Sequence, residues 1–337
     1  MSSIREVAKL AGVSPATVSR VMNGTANVDS EKKQRVLNAI SETGFIPNEV
    51  ARSLFRKSAK LIGLIIPSIQ NPYFTQLASA IGEAAQEKGY RVFLCDVGME
   101  GESVQDTLQM LASKNADGVV LAAHAPQLEQ TLSGLSIPVV AIDCLQSAEH
   151  VRASIYCDYY AGGQMAMEHL LESGCKNIVC IKSDQEIFSA RMRYEGYRDV
   201  CRERGIPEQT VDCDYDFRAG LAMTEHLLQK YPHVDGILAC NDIVAISTYK
   251  VLHKRQISVP EQVQLIGFDD IRLTSLVSPE LSTIHQPIRE MAYRAVDILT
   301  GKDSSHRSEP IVLPVYLVKR ETTEKKSGYE KTENSER

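Results

Sequence analysis

An all-α helix-turn-helix headpiece followed by an α/β core of two doubly wound parallel-sheet lobes is the fold class that the sequence predicts. Three observations predict it. The first sixty residues carry two short helical patterns joined by a Gly and Ser-Pro turn. From Lys60 onward, short Val/Ile/Leu-rich runs alternate with segments of helix length. The charge changes sign at the same place: residues 1–60 hold ten Lys/Arg against five Asp/Glu, and the remainder holds 27 against 38. At 337 residues the chain is too long for one compact domain and suits two or three.

Ile4, Val7, Ala8 and Ala11 recur at helical spacing, and Gly12 offers a left-handed stop. Ser14 is a good N-cap for a second helix, with Pro15 in its first turn. That helix runs to about Met22, burying Thr17, Val18 and Val21 and exposing Ala16, Ser19 and Arg20, before Asn23-Gly24 ends it. Two short helices across a tight turn describe a helix-turn-helix, whose second helix presents its N-terminal residues to base edges in the major groove. A third helix, capped at Asp29 or Ser30, turns Val36, Leu37 and Ile40 inward and stops at Gly44. A basic head on an acidic body suits a nucleic-acid-binding head. Asn48–Arg56, NEVARSLFR, is helix-competent but too short to be stable alone in water.

In the body, LIGLIIP, YRVFLCDV, GVVLAA, PVVAID, NIVCIK, GILACN and VQLIGFD read as buried parallel strands of βαβ units. They are too many for one modest sheet, so two lobes are expected within a 60–320 core. Lobe 1 takes about 61–157 and 288–317, and lobe 2 takes about 158–286 and 318–320. IVLPVYLVKR returns to the first lobe and crosses again. Residues 1–47 form the headpiece, 48–59 the linker, and 321–337 a polar, disordered tail. Ligands of open α/β sheets sit at the carboxyl ends of the strands. Those ends supply Asn71–Phe74, Asp143, Arg191, Arg193, Asn241, Asp242, Asp269, Asp270, His285 and Gln286. Asn71, Pro72 and Asp242 read equally well as helix caps, Asp270 as a turn residue, and Arg191 as structural.

Several classes are excluded. No apolar run approaches the roughly 20 residues of a membrane span. The N-terminus MSSIREVAKLAG has no signal-peptide core, so a cytoplasmic protein is expected. The eight cysteines are scattered without a CxxC, which points to reduced, mostly buried thiols. The sequence has no GxSxG, HExxH, Walker A or GxGxxG after the first strand, and its His are dispersed. No enzyme, metal or cofactor is therefore expected.

IREVAKLAGVSPATVSRVMNG resembles the DNA-binding headpiece of the lactose-repressor (LacI/GalR) family, and the agreement continues through GFIPNEVARSLFRKSAKLIGLIIP. The resemblance puts Pro15, Ala16 and Arg20 at base-reading positions and Ser14, Thr17, Ser19 and Asn23 at phosphate-contacting ones. Arg20 is the one of the three base readers able to pair bidentately with guanine. Residues 48–56 match the family's hinge helix, in which Leu54 would wedge into the minor groove beside Arg52. Phe55 departs from the basic residue that many relatives carry after the leucine.

From about 61 to 320 the chain resembles the same family's periplasmic-binding-protein-like core. By that resemblance Tyr73, Phe74 and Tyr215 stack on a ring, and Arg193, Asn241, Asp269 and Gln286 hydrogen-bond ligand hydroxyls, with Asp143 at the neighbouring strand end. A planar Arg fork beside a carboxylate independently suits vicinal hydroxyls. ARSLFRKSAKLIGLIIPSIQNPYFTQLA is similar to ribose-repressor-like members, although Cys144 replaces the Arg that they often carry after the aspartate. The implied function is a sequence-specific transcriptional repressor of a sugar-utilisation operon. It would bind a palindromic operator in double-stranded DNA as a homodimer, without a membrane partner, and a sugar-like effector would control it. The tail has no leucine heptad to build a tetramer. A regulator answering to a protein corepressor or a non-sugar metabolite, and a plain solute-binding protein, are the alternatives.

Overall fold

The computed structural model describes residues 3–23, 28–45, 58–98, 103–125, 128–144, 150–301 and 309–324. The expected hinge helix, with Arg52 and Leu54, lies outside them. The chain divides into two units, 1–59 and 60–337.

In the first unit, α1 (Ile4–Ala11) starts at a capping box in which Ser3 and Glu6 bond each other's backbone N–H. It stops at Gly12, whose φ of 64° is left-handed. Helix α2 (Pro15–Asn23) begins where the Ser14 hydroxyl accepts the Thr17 N–H at 3.2 Å. Helix α3 (Ser30–Thr43) ends at left-handed Gly44. Val7, Ala8, Ala11, Val18, Val36 and Ala39 form the core of this small bundle. The inward face of α3 is therefore Val36 and Ala39. Leu37, expected inside, is 44% exposed, because it lies one residue off the stripe that meets α1.

The second unit holds two six-stranded sheets. The first contains β1 (Leu61–Ile66), β2 (Arg91–Asp96), β3 (Gly118–Leu121), β4 (Val139–Ile142), β5 (Ala153–Cys157) and β11 (Ile311–Leu313), in the order β11-β5-β4-β3-β1-β2. The second contains β6 (Ile178–Lys182), β7 (Thr210–Asp212), β8 (Gly236–Leu238), β9 (Gln264–Asp269), β10 (Ser282–His285) and β12 (Tyr316–Val318), in the order β12-β10-β9-β8-β6-β7. Every pairing is parallel except β10 with β12. The first five strands of each sheet follow the doubly wound order in which the chain reverses direction beside its first strand. The helices that matter for the site leave the strand ends: α4 (Pro72–Glu87), α7 (Tyr159–Glu172), α8 (Phe188–Arg204), α9 (Phe217–Lys230) and α10 (Asp242–Lys254), while α11 (Ile288–Thr300) covers the first sheet. Two shorter helices, α5 (Val104–Ser113) and α6 (Leu128–Ser133), complete the first lobe.

Three details differ from the sequence reading. IVLPVYLVKR is two strands, because Pro314 has no N–H with which to extend a ladder. Lobe 1 therefore ends at Leu313 and lobe 2 resumes at Tyr316, rather than at 317 and 318. The polar tail starts later than Glu321: Thr322 and Thr323 are buried, and the Thr322 carbonyl accepts the Leu265 N–H at 3.0 Å. YRVFLCDV is not buried. Strand β2 is a sheet edge whose Phe93 and Leu94 are 41% and 44% exposed. Among the described residues no helix is long and apolar enough to cross a membrane.

Helices α7 and α8 cross so closely that a Cβ at Gly163 would collide with the Arg193 carbonyl oxygen, and one at Gly196 with the Tyr160 carbonyl oxygen. Neither obstacle is a flexible side chain, so relief requires α8 to shift. Overpacking of this kind costs about 1–3 kcal/mol. Gly196→Ala is expected to lower unfolding stability by about 2 kcal/mol or more in denaturant titration. A neutral effect would mean that the crossing is not tight.

Candidate functional site

The headpiece presents one candidate surface. Ser14, Pro15 and Ala16 at the start of α2 and Arg20 in its last turn are exposed, while Thr17 and Ser19 are half-buried. The Ser14 and Thr17 hydroxyls lie 3.0 Å apart and fix the helix entry. Asn23 is the last residue of α2. Hydroxyls and one guanidinium on a single short helix make a surface suited to anions and base edges.

The second site lies where the strands of the two lobes end. Arg193, on the first turns of α8, is its centre. Its guanidinium donates to the Cys240 carbonyl at 2.7 Å and to Asp269 Oδ1 at 3.2 Å. It stacks 3.9 Å from the Phe268 ring centroid, with Tyr159 and Tyr215 further out. Burial, the largest single influence, disfavours its charge, but Asp269 and the surrounding tyrosines together outweigh it and Arg193 stays ionised. Its Nε is buried with no hydrogen-bond partner among the described residues.

Asp269 closes β9 with φ of 118°, and Asp270 follows at 58°. Two successive non-glycine residues in left-handed backbone are rare, and such positions cost about 1–3 kcal/mol each. Asp269 also accepts from Gln286 Nε2 at 2.7 Å. Burial raises its carboxyl to about 6, against the opposing pull of Arg193 and the Gln286 bond. On the facing lobe, Asp143 ends β4 with φ of 59°. Its two oxygens accept the hydroxyls of Tyr73 and Tyr159. Burial raises Asp143, with the tyrosine bonds opposing, and burial together with Asp143 raises both tyrosines, which therefore stay protonated as donors.

These groups surround a cavity of about 100 Å³, lined among others by Tyr73, Phe74, Asp143, Arg193, Tyr215, Asn241 and Asp269. Of the eight residues that the resemblance assigns to the effector, Gln286 alone does not line the cavity: its Nε2 donates to Asp269, and its Oε1 lies 3.4 Å from the Tyr73 hydroxyl. Asn241 lines the wall; its Oδ1 caps α10 by accepting the Val244 N–H at 2.8 Å, which leaves its NH2 and one oxygen lone pair for a ligand. Asn71 caps α4 while lining the cavity. Arg191 is structural, donating to the Gln185 carbonyl. Asp270 turns away from the cavity onto Arg320 and His285, at 2.6 and 2.8 Å.

Tyr159, Phe268, Ser189 and His124 belong to the site and were not singled out from the sequence. Tyr159 had a signal: Asp158, an N-cap whose side chain accepts the Ala161 N–H, follows the run ASIYC. That run is short and contains Ser154, so it does not stand out as a strand.

The sequence profile of bacterial regulatory proteins of the lacI family matches residues 3–48, and that of a periplasmic binding protein-like domain matches residues 167–323. The chain is 38% identical to a ribose operon repressor of Halalkalibacterium halodurans, across 99% of this chain and 100% of the relative. A periplasmic binding protein/LacI transcriptional regulator from Alkaliphilus metalliredigens, complexed with D-xylulofuranose, is 34% identical with a TM-score of 0.69, covering 78% of this chain and 99% of that one. A lac repressor dimer bound to operator and an anti-inducer is 26% identical with a TM-score of 0.86, covering 96% and 99%.

The raised carboxyl gives the cavity a pH dependence. Its native value lies above the unfolded one, about 3.9, so protonation favours the native state. The cost of the ionised form is absent below about pH 4 and develops as pH rises through about 6. A ligand hydroxyl that donates to Asp269 favours the ionised form. Affinity for a polyhydroxylated ligand is therefore expected to rise between about pH 5 and pH 7 and then level off. Carboxyl-carbon NMR titration of Asp269, compared with an Asp269→Asn protein, checks this; a midpoint near 4 would contradict it.

Proposed function

The chain belongs to the lacI family of bacterial regulatory proteins and is a DNA-binding repressor responsive to a small molecule; from that premise we propose that its effector is an unphosphorylated monosaccharide of pentose size. The operon it controls is then one for sugar utilisation, and the protein acts in the cytoplasm on nucleoid DNA. The observation that carries the reading is the buried Arg193–Asp269 pair facing Asp143 in a cavity walled by Tyr73, Phe74 and Tyr215. Carboxylates and an amide accept and donate to hydroxyls, while ring faces cover the apolar side of a sugar. Arg193 is the one Lys or Arg among the described cavity residues, and it already faces a carboxylate. A phosphate would meet two buried aspartates without a free cation. D-xylulofuranose in the Alkaliphilus relative supports the same size class.

Thermal unfolding of the full chain against free pentoses, hexoses, disaccharides, sugar phosphates and purines tests this. A pentose is expected to raise the midpoint, through stabilisation of about 2.7 kcal/mol at a hundredfold excess over Kd. Pentose phosphates are expected to leave it unchanged, and Arg193→Ala to abolish the shift. A shift with a sugar phosphate or a purine alone would overturn the assignment. No shift with any compound would favour a protein corepressor.

On the DNA side, Arg20 reads a base edge, Pro15 and Ala16 shape the same contact, and Ser14, Thr17, Ser19 and Asn23 hold phosphates. Leu54 and Arg52 act at the minor groove. A palindromic operator needs two headpieces, and we assign the homodimer contact to the exposed β2 edge at Phe93 and Leu94. Ile69, 52% exposed, is tied to the same strand by its N–H to Asp96. Fluorescence anisotropy on an operator selected from random duplexes, with sedimentation alongside, checks both roles. Arg20→Ala is expected to weaken the specific site about 10- to 100-fold with little change on random DNA. Phe93→Asp is expected to give monomers. Equal loss on both duplexes, or a persistent dimer, would refute the respective role.

A further inference from the structure

Asp242 is the first residue of α10 and is fully buried. It does not line the effector cavity. The Cα of Gly267 leaves the space that its carboxylate fills, since a Cβ there would collide with Asp242 Oδ1. Its oxygens face the turn after β9. Oδ2 accepts the Ile271 N–H at 2.9 Å, and Oδ1 accepts the Thr283 hydroxyl at 2.6 Å. The Thr283 oxygen in turn accepts the Asp270 N–H at 3.4 Å. The two N–H groups that follow Asp269 are thus held by Asp242, one directly and one through Thr283. They belong to the segment with two left-handed residues in succession, Asp269 and Asp270.

We propose that Asp242 is a positioning residue for the effector site: it holds the turn that aims Asp269 at Arg193 and the ligand. This rests on the proposed effector cavity. Left-handed backbone persists only where its surroundings over-determine it. The Asp242 carboxyl group presents two oxygens, so it can bond the N–H and the hydroxyl together; burial and the nearby Asp269 raise its pKa, and the Thr283 and Ile271 hydrogen bonds oppose that rise. Without it the turn relaxes toward ordinary backbone, and Asp269 swings away from Arg193 and Gln286. A side chain with no access to the ligand then controls its affinity.

The test uses the full chain carrying Asp242→Ala, Asp242→Asn or Thr283→Val. Ligand-free crystal structures and D-ribose calorimetry are the readouts. In Asp242→Ala, Asp269 is expected to leave Arg193, and D-ribose affinity to fall at least about tenfold. Asp242→Asn keeps one acceptor for the Ile271 N–H and is expected to recover most of the affinity. Thr283→Val removes only the relay and is expected to fall between them, so the series decides even if Asp242→Ala does not fold. Asp269 in its native place with unchanged affinity in all variants would overturn the proposal. Failure of the wild-type protein to bind D-ribose would count against the effector reading alone, and the position of Asp269 in the variants would still decide the role of Asp242.

Discussion

A guanidinium and a carboxylate removed from water each lose several kcal/mol of hydration, and their mutual attraction offsets this only when the remaining donors and acceptors are matched. The Arg193–Asp269 pair meets that condition at all but one donor, the Arg193 Nε, with partners drawn from several neighbouring elements. Cys240 at the end of β8 supplies a carbonyl, Gln286 at a lobe crossing supplies an N–H, and the ring of Phe268 supplies a π-face. The glycines of the α7–α8 crossing set how near Arg193 can come, and the strained turn after β9 sets where Asp269 points. Among the described residues the Arg193 Nε has no hydrogen-bond partner, and under the proposed function it is the donor available to the effector.

The facing lobe uses a different device. Asp143 is held by two tyrosine hydroxyls rather than by a cation. Tyr73 belongs to the first lobe, whereas Tyr159 is the first residue after the chain has crossed into the second. Tyr73 also reaches Gln286, and Gln286 reaches Asp269. Tyr159 thus ties the second lobe to Asp143 of the first. A ligand hydroxyl that competed for Asp143 would loosen this tie, so occupancy of the cavity and lobe geometry are energetically linked. Such a link is what a repressor requires if a ligand is to change its affinity for DNA, because a ligand shifts an equilibrium only by its differential affinity for the two states.

Much of this was legible in the sequence, for identifiable reasons. Strands β1, β3 and β4 are buried on both faces, so LIGLII, GVVL and VVAI carry continuous apolar runs. Capping and glycine chemistry marked the headpiece helices closely. Strand ends pointed to Arg193, Asp269, Asn241 and Asp143. What was not legible depends on tertiary context. An edge strand such as β2 has the same composition as a central one. ASIYC hides a buried Ser154, and so it hid Tyr159 at its end. Sequence spacing cannot distinguish Gln286 behind a carboxylate from Gln286 beside a ligand. Nor could it tell that Asp242, adjacent to the cavity residue Asn241, serves a turn about thirty residues further along the chain.

The central claim is that a free pentose between the lobes changes the affinity of the headpieces for DNA. Operator dissociation constants measured with and without saturating pentose, together with pentose constants measured on free and operator-bound protein, test it most directly. Both affinities are expected to change, and by the same factor, as thermodynamic reciprocity requires. Operator affinity that stays constant while the pentose is demonstrably bound would contradict it.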